Sequence, residues 1–459
     1  MYTLSRILNT VQVPLHGLGR INFTGCDPVL PSPFLIGEAG AAAINACGYA
    51  ASELWCLKTG RMQQISIDLR CAAMAQRSHD YLQVLDGKKE DLWSPLSGFY
   101  QTKDNRWIQF HCNFPHHRLG IINFLRCADH RASVSDAVKK WDAFHLENEL
   151  SQRGMCVAVV RTPEEWEAHS QSQAISQLPL MEILPIGVSS PEPMKGGCRP
   201  LSGIRVLDLT RVIAGPICGR TLAEQGADVM LISSPKLPFI SSLVIDTGHG
   251  KYSAYLDLEK IEDRQQLIKL IQQSDIFSQA YRPGGLAAKG FSPEDLMRIR
   301  PGIIYISLSA YSHIGPWAMR RGFDSLVQSA TGIVYEQTAG KDKPQHLPAQ
   351  SLDYITGYLA AFGAMEALRR RALYGGSYLV RVSLAQTAHW FKSLGRTIPC
   401  NNIPTQEMIR DLLIRSNTPF GQLEYLKPVL KMSETQPYWD KTTVPLGTHP
   451  PEWKILSRL

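Results

Sequence analysis

The sequence predicts an α/β protein: a doubly wound parallel sheet joined to a smaller α+β domain. Three observations carry that prediction. Between residues 201 and 310, apolar β-runs alternate with helical segments, as in successive βαβ units. Proline and glycine stand at the starts and stops of those helices, where each is favoured. Upstream, short strands and helices occur without that alternation, which sets a second unit apart.

Taken in order, "GFYQTKDNRWIQFHCN" alternates about a Lys103-Asp104-Asn105 turn and predicts a β-hairpin. "HRLGIINFLRC" and "VSDAVKKWDAFHLENELSQRG" follow as two helices. "SSPEPMKGGCRP", rich in Ser, Pro and Gly, reads as a linker over 189–200. Ile204 to Leu209 begins the larger unit as a buried strand. Pro216 is placed at the first helical position, Gly226 at the stop, and Val229 to Ile232 closes the βαβ unit. "KYSAYLDL", "DIFSQAY" and "GIIYISLSAY" then read as strands, separated by the helices "EDRQQLIKLIQQS" and "SPEDLMRIR". The predicted organisation is a helix/strand segment over 30–95, a small α+β domain over 96–188 and the linker. A Rossmann-like domain over 201–400 and a tail over 401–459 that completes it follow. Such sheets bind ligands at the carboxyl ends of their strands. The loop after the first strand, "TRVIAGP", is not GxGxxG, so a nicotinamide or flavin dinucleotide is not indicated.

Composition narrows the function classes. The chain of 459 residues carries a net charge of +7, which suits surface cations or a ligand with several phosphates. No basic run interleaved with aromatics suggests nucleic acid. No window holds about 18 uninterrupted apolar residues, so no membrane span is expected. The 10 cysteines are scattered singly, as in a reduced, cytoplasmic compartment. Residues 1–26 hold Arg6 and Arg20 and no acid, too few arginines for a transit peptide.

An internal repeat joins the two halves. When the segment starting at Glu38 is slid onto the one starting at Asp353, Ile44 meets Leu359 and Ala46 meets Ala361. Gly48 meets Gly363, Gly60 meets Gly375, and Ile65, Ile67 and Leu69 meet Val380, Val382 and Leu384. Each segment is an acid, an Ala/Gly-rich helix, a glycine stop and an alternating strand, which suggests a duplicated or permuted unit.

Asp353 heads the second copy. One reading makes it a helix cap, worth about 1 kcal/mol. The other makes it a nucleophile: a carboxylate at a helix N-terminus is expected to stay ionised, and beside an acyl group it can attack.

Four stretches occur in one order: "LSGIRVLDLTRVIAGPICGRTLAEQGADVMLI", "YRPGGLAAKGF", "PGIIYISLSAYSHIGPW" and "SLDYITGYLAAFGAMEALRRRALYGGSYLVRVSL". Together they resemble the family III CoA-transferases, the group that also contains α-methylacyl-CoA racemases. Residues 30–170 look like the family's other half, so the halves stand in reversed order. The resemblance implies CoA on the Rossmann-like domain and Asp353 as a nucleophile that passes through an acyl-aspartyl anhydride and an aspartyl-CoA thioester. It implies an acyl-CoA and a small carboxylic acid as substrates, no cofactor beyond the CoA thioester itself, and a homodimer. Arg211, Lys251 and Arg282, with Lys289 and Arg321 behind them, are the cations expected to hold CoA phosphates. Asp324 is a second carboxylate, either a cap or a group that positions the acyl or acceptor. Glu38 stands where Asp353 stands in the other copy, as a capping acid or as a vestigial or second nucleophile.

The sequence also departs from the family pattern. Ala288 occupies a position that is often basic, and "SPKLPF" lacks the usual acidic, glycine-rich character. Residues 74–98 hold no glycine run for the family's lid. Phe323 stands where the racemases carry a histidine base and cannot transfer a proton. A racemase or isomerase, or a degenerate acyl-CoA-binding relative, are the alternative readings. His111, Cys112, His116 and His117 have no recognised metal-ligand spacing, and no metal is expected.

Overall fold

The computed structural model describes residues 1–13, 18–87 and 91–453. A seven-stranded sheet forms its centre. Across it run Lys251–Tyr255, Asp228–Ser233, Arg205–Leu209, Ile276–Gln279, Ile304–Ser309, Ser377–Ser383 and Met181–Gly187. The first six are mutually parallel and the Met181 strand is antiparallel at the edge. Numbered along the chain from Arg205, the parallel strands follow the 3-2-1-4-5-6 order of doubly wound sheets, whose ligand crevice opens where the order reverses. Here that place is between the carboxyl ends of the Arg205 and Ile276 strands.

Most of the predicted elements occur, with shifts that have local causes. The first crossover helix begins at Ala214, two residues before Pro216, because Ile213 and Val212 make the turn. Val212 does so at φ 75°, unusual for a β-branched residue. The capping box of Ser292 and Asp295 starts the Pro293–Ile299 helix as its sequence suggests. "VSDAVKKWDAFHLENELSQRG" is not one helix. Arg131–Val138 ends at Lys139, and a new helix starts at Ala143. The break is held by Asp104, whose carboxylate accepts the Ala143 N–H at 3.2 Å. The short Ser241–Thr247 helix lies in a stretch with no helical period long enough to predict it.

The hairpin of Gly98–Gln101 and Trp107–Phe110 forms about the expected turn, with Asn105 in the left-handed region at φ 56°. The Val157–Val159 strand extends it, and Tyr100, Ile108, Phe110, Leu146 and Leu150 fill a core of its own. Toward the C-terminus, Leu413–Thr418 and Gly421–Leu426 pair, and Gln83–Val84 adds a third strand.

Two long helices cross the centre, Ile36–Thr59 and Ser351–Tyr374, each of 24 residues. The Glu38 helix stops at Gly60 (φ 72°) and the Asp353 helix at Gly375 (φ 74°), conformations in which a side chain is strained. Each leads into a strand, Ile65–Asp68 or Ser377–Ser383, and then a helix capped by the strand's last residue, Asp68 or Ser383. The glycines at matching positions do matching work. A Cβ on Gly48 would meet Ile65 at 2.9 Å, and one on Gly363 would meet Val380 at 2.7 Å. The two helices also pack on each other, with the Cys47 thiol donating to the Tyr358 carbonyl at 3.1 Å.

Candidate active site

A cleft of about 390 Å³ opens at the switch point of the sheet. Its walls are the loop after the Arg205 strand, the loop after the Ile276 strand and the end of the Ile304 strand. The head of the Asp353 helix and part of the Phe114–His117 segment complete it. Asp353, Arg211, Arg282 and Arg321 all line this space. Four residues far apart in sequence thus meet where a doubly wound sheet is expected to bind.

Asp353 is not the cap of its helix. It is the third helical residue, and Gln350 occupies the cap position without a side-chain bond. The capping oxygen comes from elsewhere: Asp324 Oδ2 accepts the Asp353 N–H at 2.9 Å. Asp324 in turn is the first residue of the Asp324–Ala330 helix. Gln328 holds its other oxygen, and Gln328 Oε1 accepts the Leu347 N–H at 2.9 Å. The Asp353 carboxylate itself makes no hydrogen bond among the described residues and faces the cleft. Close packing fixes its helix: a Cβ on Gly357 would meet the Ala214 carbonyl at 2.5 Å, so only glycine admits the crossover helix.

The electrostatics reverse the expectation of an unperturbed anion. Burial, and then the charge of Asp324, push the Asp353 carboxyl well above the usual carboxylate range. Burial raises Asp324 to about 7, against the hydrogen bonds from Asp353 and Gln328 that favour its anion. The N–H of Asp353 itself is already given to Asp324. Removing the like charge should therefore relax Asp353. In Asp324→Asn, the acid limb of the kcat/KM profile is expected to move to lower pH. Profiles of both enzymes against pH test this, and a limb that stays put or rises refutes the coupling.

The cations divide sharply. Arg211 packs over the Phe114 ring and donates to the Pro238 carbonyl, with no carboxylate partner among the described residues. Arg321 donates to His117 Nε2 at 2.8 Å. A guanidinium can only donate, so that nitrogen carries a lone pair, and burial, His116 and Arg321 hold His117 down to about 3. Arg320, its sequence neighbour, is instead spent on buried Glu147 at 3.0 Å.

Lys251 lies outside the cleft lining. Its ammonium is 2% exposed, paired with Asp208 at 2.8 Å and bonded to the Pro216 carbonyl at 2.8 Å. It pins the 210–216 loop from beneath and has no path to a phosphate. Lys289 is paired with exposed Glu259 at 2.7 Å and lies outside the cleft lining. Glu38 accepts a bond from Thr3, and its N–H goes to Asp27 at 2.8 Å, so the Glu38 helix too takes a capping bond from an outside aspartate. Phe323 lines the cleft and stacks on His111 at 3.8 Å. His116, His117 and Cys156 also reach the cleft. The first two are neighbours in the sequence, but only the fold shows what they face.

With that geometry described, comparison with known proteins decides the family. Residues 201–410 match the model of CoA-transferase family III. An acyl-CoA transferase of Gibberella moniliformis is 30% identical over 80% of this chain and 72% of its own length. The chain belongs to CoA-transferase family III. Acetyl-coenzyme A transferase nodX of Hypoxylon pulicicidum is 32% identical over 73% of this chain, which spans 60% of that relative's length. Succinyl-CoA:glutarate CoA-transferase of Homo sapiens is 30% identical over 39% of this chain and 45% of its own length. A crystal structure of Rv3272 from Mycobacterium tuberculosis superposes with a TM-score of 0.41 at 30% identity, covering 43% of this chain and 59% of that one. Among the described residues no helix is long and apolar enough to cross a membrane, and all 10 cysteines are free.

Proposed function

We propose that this family III chain is an acyl-CoA:carboxylate CoA-transferase with Asp353 as its covalent nucleophile. One observation carries the reading: a buried carboxylate with no hydrogen-bond partner among the described residues faces the same cleft as Arg211, Arg282 and Arg321. A lone buried carboxylate is costly unless its environment serves a reaction. A raised pKa also makes it a more basic, stronger nucleophile once ionised.

An Asp353 oxygen attacks the thioester carbonyl, the C–S bond breaks, and CoA leaves as thiolate, giving a mixed anhydride. The thiolate then attacks the aspartyl carbonyl and releases the donor as its carboxylate, leaving an aspartyl-CoA thioester. The acceptor carboxylate displaces the thiolate to form a second anhydride. Attack of the thiolate on the acceptor carbonyl gives the new acyl-CoA and frees Asp353. Burial and positioning supply the barrier reduction. Phe323, stacked and proton-free, offers no base for racemisation.

Arg211 and Arg321 would hold the phosphates of CoA. Changing either to Gln is expected to weaken CoA binding about 10-fold, as loss of one charge-assisted bond does. The salt dependence should fall in parallel, which calorimetry at two ionic strengths measures. An unchanged affinity in both variants removes them from the CoA site. The reversed order of the two halves, their duplicated helix-strand-helix units, a homodimer and a cytoplasmic setting belong to the same proposal.

Incubation with a panel of acyl-CoAs, followed by hydroxylamine or borohydride trapping and peptide mass spectrometry, tests the mechanism. The expected adduct is on Asp353 and is absent from Asp353→Ala. No adduct with any donor would point to a degenerate acyl-CoA-binding protein instead.

A further inference from the structure

A second cleft, of about 270 Å³, lies beside the first and shares the Tyr281–Pro283 wall with it. Its floor is a sheet face, and the residues there follow an unusual order. In one row across four strands, Phe277, Tyr305, Leu379 and Leu184 are in register, and all four pack into an apolar core. The next row toward the carboxyl ends is Gln279, Ser307, Arg381 and Glu182, again in register and all lining the cleft. A sheet face of this kind is ordinarily apolar and covered by a helix. A continuous polar row beneath an open cleft has no packing purpose.

The charged end of the row is arranged so that its members do not satisfy one another. Arg381 and Glu182 are direct cross-strand partners, whose Cβ atoms lie about 5 Å apart in such a pair. They form no ion pair, because His313 stands between them. Its Nε2 lies 3.3 Å from Arg381 Nη1, and its Nδ1 lies 3.8 Å from Glu182 Oε2. Arginine can only donate, so Nε2 accepts and Nδ1 carries the hydrogen. At 3.8 Å that hydrogen does not bond the carboxylate. Arg282, on the shared wall, also has no carboxylate partner among the described residues. Gln279 and Ser307 are bonded to each other at 3.0 Å, which fixes the uncharged end.

We propose that this second cleft binds a small carboxylic acid bearing a hydroxyl or ammonium group next to its carboxylate, an α-hydroxy or α-amino acid. Arg381, with Arg282 across the cleft, takes the carboxylate, and Glu182 accepts from the adjacent donor. The cleft of about 270 Å³ has room for a small acid over the polar row. The occupant touches the 281–283 segment, which also lines the cleft that holds Asp353, so the site adjoins the nucleophile without including it. This assignment does not depend on the chemistry of Asp353.

Binding of L-lactate, L-alanine and propanoate, three acids of one size that differ in the adjacent donor, tests it by calorimetry or ligand-observed NMR. Lactate or alanine is expected to bind at least 10-fold more tightly than propanoate. Arg381→Gln should weaken the bound acid about 10-fold, while Asp353→Asn leaves its affinity unchanged. Glu182→Gln separates the two donors: it should weaken alanine about 10-fold and lactate less. Wild-type protein that binds none of the three overturns the proposal. So does binding that is lost in Asp353→Asn yet kept in Arg381→Gln, which would place the acid in the first cleft.

Discussion

Asp353→Asn is expected to lower turnover by about 10³-fold or more, because an amide cannot form the anhydride. The same change should make the protein more stable above neutral pH. The sign follows from linkage. Both carboxyls have folded-state values above the ordinary one, Asp324 at about 7 and Asp353 well raised. The folded state therefore holds protons that the unfolded chain releases, and stability falls as pH rises from about 4 through the raised values. Asparagine removes one buried charge and with it part of that fall. Thermal unfolding at about pH 8 should show a Tm above wild type, with the difference vanishing near pH 4. Loss of activity with a lowered Tm at both pH values would instead mark Asp353 as a structural residue.

Lys251→Ala is expected to cost about 3–5 kcal/mol, the penalty for leaving one member of a buried ion pair uncompensated. Asp208 would stay buried with its charge, and the Pro216 carbonyl would lose its donor. Replacing both partners, as Lys251→Met with Asp208→Leu, should cost distinctly less. Denaturant titration of the three variants measures the pattern. A stable Lys251→Ala protein with a selective loss of CoA affinity would return Lys251 to the phosphate site.

These two residues show what sequence can and cannot convey. The sheet was readable because helices follow and separate most of its parallel strands along the chain, so its period and its Pro and Gly punctuation are local signals. Asp353 was readable only through the order of four motifs, since its own neighbourhood describes a cap as well as a nucleophile. Its role as third helical residue, capped by Asp324, depends on two helices meeting in space. Lys251 and Arg211 look alike along the chain, each near a predicted strand. One turns inward to Asp208 and the other lines a cleft, a difference set by tertiary packing. The helix break before Ala143 had the same kind of cause, an aspartate donated from the hairpin turn. Arg381 carries no sequence signal, for a charged residue in a strand reads as a solvated face until its cross-strand neighbours are known.

The packing of the Glu38 helix on the Asp353 helix has a consequence for synthesis. The first is made near the start of the chain and the second more than three hundred residues later. At the usual 5–20 residues per second, the early helix waits on the order of tens of seconds for its partner. Its neighbours in the chain, the Tyr2–Thr10 and Leu69–Ala75 helices, also pack on it, but the face that the Asp353 helix covers is open throughout that interval. A chain that stops short of the Asp353 helix is expected to expose that face and to aggregate or be cleaved more readily than the full chain.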